Sequence, residues 1–504
     1  MSSQIKKFTL AAAAVLTLTY LVGCGTKGEN TGFGNKVTGP GLGLGSGSST
    51  TTTTTTGGLT GGTSGTATVN DAFPITTATG LTVSSMLATS GGSGNSNPPT
   101  RLAFGTFSAL GTGRRVAVVQ GLGVATGGRV VIMPRSPETV AGTSNVVLNP
   151  TGAGSDAAGQ ALTNPFGILV EGETIFITDQ STSPTLGRIM MYDQIQASGV
   201  CRGRAINCTP PLANPVKIVK DGNFLFVAEN QPRGGGGRIR KIDLTKAFTD
   251  PANDSFILID NVNNPVSLAL DKFSGRNFLY IAENGAGSAS GAQGGIARVD
   301  LSQAPFNLTA GPGTGKLTAT AADNVALAGV QFIDPGTTAW NFPFDIALDN
   351  FGNLVTTEGV SVAASGLVNP NFTTGRIRVV QGTATGGAPA TAAKVVLQNA
   401  APGTSVGVTG SRGVSLKNED GSGLVVSAFF TEGVALATTL RQLTFRTSDA
   451  AIFRHIQLDS GKLAPLDTLF DSGDSSSTPV VAPNVKYTIG SFGGGTNGQV
   501  LDIR

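Results

Sequence analysis

Short apolar runs recur along residues 98–504, and each closes on an acidic or polar position. Asn164-Pro165-Phe166-Gly167-Ile168 is followed by Ile175-Phe176-Ile177-Thr178-Asp179 and then by Gly187-Arg188-Ile189-Met190. The same order returns in Asn214-Pro215-Val216, Phe224-Leu225-Phe226-Val227-Ala228-Glu229-Asn230 and Gly237-Arg238-Ile239. It returns again in Asn264-Pro265-Val266, Phe278-Leu279-Tyr280-Ile281-Ala282-Glu283-Asn284 and Gly295-Ile296-Ala297-Arg298. Proline-to-proline steps are 215 − 165 = 50 and 265 − 215 = 50; a copy at Phe342-Pro343-Phe344-Asp345 lies 343 − 265 = 78 further on, so a loop has grown between them. Runs of this length, β-branched and aromatic and divided by Gly, Asn and Asp, predict antiparallel strands joined by hairpins. No sustained apolar spacing of three and four predicts a long amphipathic helix. Weaker copies stand at 101–133 and 411–456, and a last hairpin at 487–503 has a poorly defined first strand. A four-stranded sheet of about fifty residues repeated six or seven times predicts an all-β fold, a β-propeller. Seven second-and-third-strand hairpins favour seven blades over six. The last blade would then borrow a strand from residues 69–87 and close the ring.

The first residues follow a different pattern. Lys6 and Lys7 precede an uncharged apolar stretch at 8–20, too short to span a bilayer and of signal-peptide length. Leu21-Val22-Gly23-Cys24 then resembles the bacterial lipobox, which implies a lipoprotein signal peptide over 1–23, cleavage before Cys24, and lipid, palmitate included, on that cysteine. Several acyl chains hold a protein stably on a membrane. Gly25 and the lack of a nearby aspartate imply, by the sorting rule of Gram-negative lipoproteins, the outer membrane of the cell envelope. Residues 24–66 are nearly all Gly, Thr and Ser and lack the apolar groups that would offset the entropy of ordering. They predict a disordered, flexible tether reaching on the order of 35 Å. The propeller is expected over 67–504.

Composition narrows the chemistry. Glycine is abundant at 72 residues and charged residues make up only 13%, which suits tight turns and polar loops. A net charge of +3 with no basic cluster among aromatics leaves no footprint for nucleic acid. Cys201 and Cys208, seven apart in a stretch read as a loop, are expected to form a disulfide outside the cytoplasm. The single histidine, His455, lies in a strand pattern and reads as a strand-surface residue. No nucleophile elbow, phosphate-cradling loop or haem motif is present, and no catalytic residue is assigned.

The Pro-x-Gly-Ile segment at 165–168, the Ala-Glu-Asn strand ends and the Gly-Arg-Ile starts at 187, 237 and 375 resemble the NHL-repeat family and its relatives among the calcium-dependent, lactonase-like (SMP-30-like) propellers. The similarity is strongest over 164–380. Asp179, Glu229, Glu283, Glu358 and, less clearly, Glu432 hold equivalent positions in successive repeats. Repetition in nearly every repeat favours a structural role. Each carboxylate would accept N–H groups of the following turn and pair with Arg188, Arg238, Arg298 or Arg376. The resemblance implies another use, a calcium ion near the axis held by Glu229, Asn230, Glu283, Asn284 and Glu358, whose hard oxygens suit that metal.

Three functions stay in view. The favoured one is a surface-anchored binding or scaffold module for an envelope or extracellular protein or glycan, its specificity carried by loops at 181–187, 198–213, 285–294, 303–340 and 359–374. The alternative is a lactonase-like hydrolase or sugar-dehydrogenase-like enzyme using calcium or a soluble quinone at the axis. The third is a purely structural envelope protein.

Overall fold

A computed structural model describes Thr76–Thr77, Val83–Ala88 and, with interruptions, residues 99–503. Cys24, the signal segment and the tether lie outside the described residues. Among the described residues the strands form seven sheets in chain order. Sheet 1 holds Pro99–Thr106, Arg114–Gln120, Arg129–Pro134 and Val146–Val147. Sheet 2 holds Pro165–Glu171, Thr174–Asp179, Arg188–Asp193 and Arg202–Ile206. Sheet 3 holds Pro215–Asp221, Phe224–Glu229, Arg238–Asp243 and Ser255–Asp260, with Gly315–Lys316 added in parallel at its edge. Sheet 4 holds Pro265–Asp271, Phe278–Glu283, Gly295–Asp300 and Val330–Phe332. Sheet 5 holds Pro343–Leu348, Leu354–Glu358, Arg376–Val380 and Lys394–Gln398. Sheet 6 holds Ser411–Asn418, Val425–Val434, Ala437–Arg446 and Ile452–Lys462, with Thr76–Thr77 in parallel at its edge. Sheet 7 holds Asp467–Asp471, Val485–Gly490 and Gln499–Ile503, and its fourth strand is Val83–Ala88, antiparallel to Gln499–Ile503.

The first strands of successive sheets touch one another, from Pro99–Thr106 through to Asp467–Asp471, and Asp467–Asp471 touches Pro99–Thr106. The apolar cores lie between neighbouring sheets. Ile177, Met190 and Val119 pack between sheets 1 and 2, and Leu225, Ile218 and Ile206 between sheets 2 and 3. Phe226, Leu268 and Ile281 pack between sheets 3 and 4, and Tyr280, Phe344 and Leu354 between sheets 4 and 5. A sheet covered on both faces reads as a continuous apolar run instead of an alternation, hence Phe-Leu-Phe-Val-Ala and Phe-Leu-Tyr-Ile-Ala. This is an all-β fold of the propeller type.

The asparagine of the Asn-Pro start has a local cause. Asn214 and Asn264 take φ of 51° and 49°, the left-handed region that asparagine tolerates better than most side chains. Sheet 5 places Phe342 there, at φ 51°.

The expected disulfide is absent. Cys201 and Cys208 are free and buried. They flank the strand Arg202–Ile206, which occupies much of the stretch read as a loop. Seven positions along extended chain span about 23 Å, against less than about 7 Å between bonded Cα atoms. The odd spacing also sends the two side chains to opposite faces: Cys201 packs between sheets 1 and 2, Cys208 between sheets 2 and 3. Burial pushes both thiols up to about 12.

Candidate functional site

The repeat acids sit where the second strand of each sheet ends, opposite the proline that opens the first strand. Asp179 faces Pro165, Glu229 faces Pro215, Glu283 faces Pro265 and Glu358 faces Pro343. All four are buried. Asp179 Oδ1 accepts the N–H groups of Thr163 and Asn164 at 2.9 and 2.7 Å, and Arg188 Nε meets Oδ2 at 3.0 Å. Glu229 accepts Ala213 N–H at 2.6 Å, Arg238 Nε and Nη2 at 3.0 and 3.1 Å, and Arg240 Nε at 3.0 Å. Glu358 accepts Asn341 N–H at 2.9 Å and pairs with Arg378 Nε, with Arg376 at 3.7 Å. Glu283 Oε2 takes a longer bond from Asn263 N–H, 3.4 Å. Burial raises the Asp179 and Glu358 carboxyls above the ordinary range, outweighing the N–H donors and arginines that pull the other way.

Two details differ from the sequence reading. The N–H donors come from the segment that enters the first strand of the same sheet, not from the following turn. Arg298 does not pair as expected, because its strand opens on Gly295, the register partner of Glu283; the next inward position is Ala297, where sheets 3 and 5 have Arg240 and Arg378. Arg298 instead reaches Gln331 and lies over the Phe278 ring.

The residue after three of the four acids has a separate task that sequence reasoning missed; after Glu358 the position is Gly359. Gln180 Nε2 donates to Pro215 O at 3.3 Å, Asn230 Nδ2 to Pro265 O at 3.2 Å, and Asn284 Nδ2 to Pro343 O at 2.9 Å. Each of these carbonyls belongs to the next sheet. The acid ties the second strand to the entry of its own sheet, and the amide ties that sheet to its neighbour. The recurrence of Gln or Asn directly after the acid was the available signal.

This layer includes every residue of the implied calcium set: Glu229, Asn230, Glu283, Asn284 and Glu358. Among the described residues no group of three or more His, Cys, Asp or Glu side chains is placed to hold a metal ion. Glu432 pairs in register with Ser411, while its side chain lies outside the described residues. In sheet 1 the position is Gln120, whose Oε1 accepts Arg129 Nε at 2.7 Å. His455 is buried on the outer strand of sheet 6, opposite Leu443, and is not a surface residue. The connections between second and third strands leave from this same end of every sheet. Those at 181–186, 286–293 and 360–374 fall outside the described residues, as do 304–314 and 317–328.

No protein-family model and no curated protein sequence matches the chain. Among solved structures it is similar to Sqt1 of Chaetomium thermophilum, at 14% identity over 79% of this chain and 80% of that one, with a TM-score of 0.42. Sqt1 bound to the N-terminus of ribosomal protein L10 aligns at 12% identity over 79% and 83%, with a TM-score of 0.40. Hydrazine synthase of Kuenenia stuttgartiensis aligns at 11% identity over 82% and 97%, with a TM-score of 0.43.

Proposed function

We propose that this chain is a lipid-anchored envelope protein whose propeller has seven blades and serves as a binding module for an envelope or extracellular partner, protein or glycan. The observation that carries the reading is the acid–amide layer. Its carboxylates and amides hold strands and neighbouring sheets together, which leaves the connections above them as the variable surface on a uniform scaffold. From Glu229 to Arg238 the chain runs 238 − 229 = 9 positions, and from Glu358 to Arg376 it runs 376 − 358 = 18, yet both pairs keep the same register. The pairing of Val83–Ala88 with Gln499–Ile503, together with the contact of Asp467–Asp471 on Pro99–Thr106, supports a ring closed by a strand from near the N-terminus. The lipobox-like segment supports attachment through Cys24, and the tether a display at a distance from the lipid.

The test uses the full chain expressed in a Gram-negative host. Metabolic labelling with an alkyne fatty acid is expected to mark the wild type and to miss Cys24→Ser. Saturable binding to isolated envelopes is expected, and replacement of residues 232–236 and 360–374 by short Gly-Ser links should abolish it without lowering the melting temperature. Binding that never saturates, or that survives both replacements, would overturn the module.

A further inference from the structure

Three large apolar side chains are prominently exposed among the described residues: Val147, Leu424 and Phe453. Two of them share one end of sheet 6. Leu424, 50% exposed, sits in the turn between the first two strands, and its carbonyl accepts Thr447 N–H at 2.9 Å from the turn between the last two. Phe453, 49% exposed, has no register partner, because Phe445 pairs with Ile452 and Thr444 with Arg454. It is the extra residue of a β-bulge, and a bulge re-aims its side chain out of the sheet. Arg446 lies over its ring, 5.9 Å from the centroid.

The charges around the pair are mixed but unequally engaged. Asp449 is paired with Arg446 at 2.8 Å, and Glu419 with Lys417 at 2.6 Å. Asp420 is turned onto the N–H groups of Ser422, Gly423 and Val425 in its own loop. Lys394 reaches Ser448 O from sheet 5. Arg454 is exposed and has no ion-pair partner among the described residues. The outer strand that carries Phe453 and Arg454 is also where Thr76–Thr77 joins the fold, in parallel against Ile456 and Gln457. Three positions of strand separate Phe453 from that junction, about 10 Å.

From these placements we infer that this end of sheet 6 docks on the lipid surface, Phe453 and Leu424 entering the headgroup boundary with Arg454 at a lipid phosphate. The inference rests on the proposed anchor at Cys24, because the chain leading from that cysteine reaches the fold beside the patch. An aromatic and a leucine flanked by arginine fit a membrane interface, where binding scales with buried apolar area and with attraction to anionic lipid. The tether itself offers little to cover them, since residues 45–66 are Gly, Thr and Ser apart from Leu59 and Ala67 lies beyond. Docking there has a consequence for the scaffold. The patch lies at the end that carries the first-to-second and third-to-fourth turns, so the acid–amide layer and the connections above it face away from the membrane.

The lipidated full chain in vesicles of phosphatidylcholine with phosphatidylglycerol provides the test. Cys201 and Cys208, buried with thiols near pKa 12, leave an introduced surface cysteine as the site of labelling. Variants Phe453→Cys, Leu424→Cys and Val147→Cys carry an environment-sensitive fluorophore, and quenching by headgroup-region nitroxide lipids is compared with quenching by aqueous iodide. Labels at 453 and 424 are expected to be quenched by the nitroxide lipid roughly threefold or more above the label at 147, and Arg454→Glu should reduce that difference. Equal quenching at all three sites in protein that floats with the vesicles overturns the docking patch alone. Protein that fails to float overturns the anchor, and the docking inference with it.

Discussion

Replacing Glu229 by alanine removes the one group that answers two arginines and a backbone N–H at the end of sheet 3. Arg238 is partly open to solvent, while Arg240 is 1% exposed and its Nε has Glu229 as its acceptor. The variant therefore strands a buried guanidinium and an entry-segment N–H. Breaking a buried ion pair from one side costs about 3–5 kcal/mol. Removing Arg238 instead leaves a carboxylate still held by Arg240 and Ala213, so Arg238→Ala should cost about 1–2 kcal/mol. Unfolding entropy near 2.1 cal/mol/K per residue over roughly 400 residues turns 4 kcal/mol into a melting shift of about 4–5 °C. The double variant Glu229→Leu with Arg240→Met removes both charges at similar volume and should recover most of the loss. Thermal and urea unfolding at pH 7.5, each with added calcium or with chelator, measures all four proteins. A loss below about 1 kcal/mol in Glu229→Ala would refute the structural account. So would a calcium-dependent stabilisation of the wild type that disappears in the variant, since it would make the carboxylate a ligand.

Asn284→Asp keeps an oxygen where a calcium ligand would need one but removes the donor to Pro343 O, so a loss of about 2–3 kcal/mol in urea unfolding is expected with no gain in calcium affinity by titration calorimetry. Phe342→Asn should raise stability by roughly 0.5–1 kcal/mol, because asparagine suits the φ of 51° better than a bulky ring; a loss above that range would show that the ring's packing outweighs the backbone strain. Asp254 is buried, and burial pushes its carboxyl up to about 6, so the folded protein holds this proton more tightly than the unfolded chain does. The site therefore favours folding at low pH, and that contribution is lost as pH rises from about 4 through 6. Asp254→Asn should flatten this limb of the stability profile and stabilise the protein at pH 7.5 by at most about 3 kcal/mol, at roughly 1.4 kcal/mol per pKa unit; an unchanged profile would count against it.

Strand positions were legible because the sheets pack against neighbours, so in sheets 2 to 5 the second strand is an apolar run bracketed by a proline before it and an acid at its end. The fifty-residue step and the strand expected near 69–87, found at Val83–Ala88, followed from the same pattern. Partners across sheets were not legible. The amides of Asn230 and Asn284 carry no mark in one dimension of the carbonyls their NH2 groups reach, which belong to the neighbouring sheet. The cysteines misled for a related reason: a spacing of seven is short in sequence, but an intervening strand makes it long in space. Arg298 was misplaced because one sheet opens its third strand on Gly295, which moves its arginine out of the acid's reach.

The acid–amide layer also explains how one chain can carry connections of such different length. A loop that rises from a strand end usually has its closure entropy and its geometry coupled to that end, and lengthening it loosens the hairpin below. Here the hairpin ends are fixed independently: the carboxylate binds the entry segment and the arginine that opens the third strand, so the register is set before the connection contributes anything. Sheets 3 and 5 keep the same acid–arginine pairing although one connection is twice the span of the other. Sheet 1 reaches a neutral version with Gln120 and Arg129, and sheet 7 has Gly490 at that position. Among the described residues the acid–arginine pairs of the layer lie in sheets 2, 3 and 5. The junction where first and last sheets meet rests instead on the backbone pairing of Val83–Ala88 with Gln499–Ile503 and on the contact of Asp467–Asp471 with Pro99–Thr106.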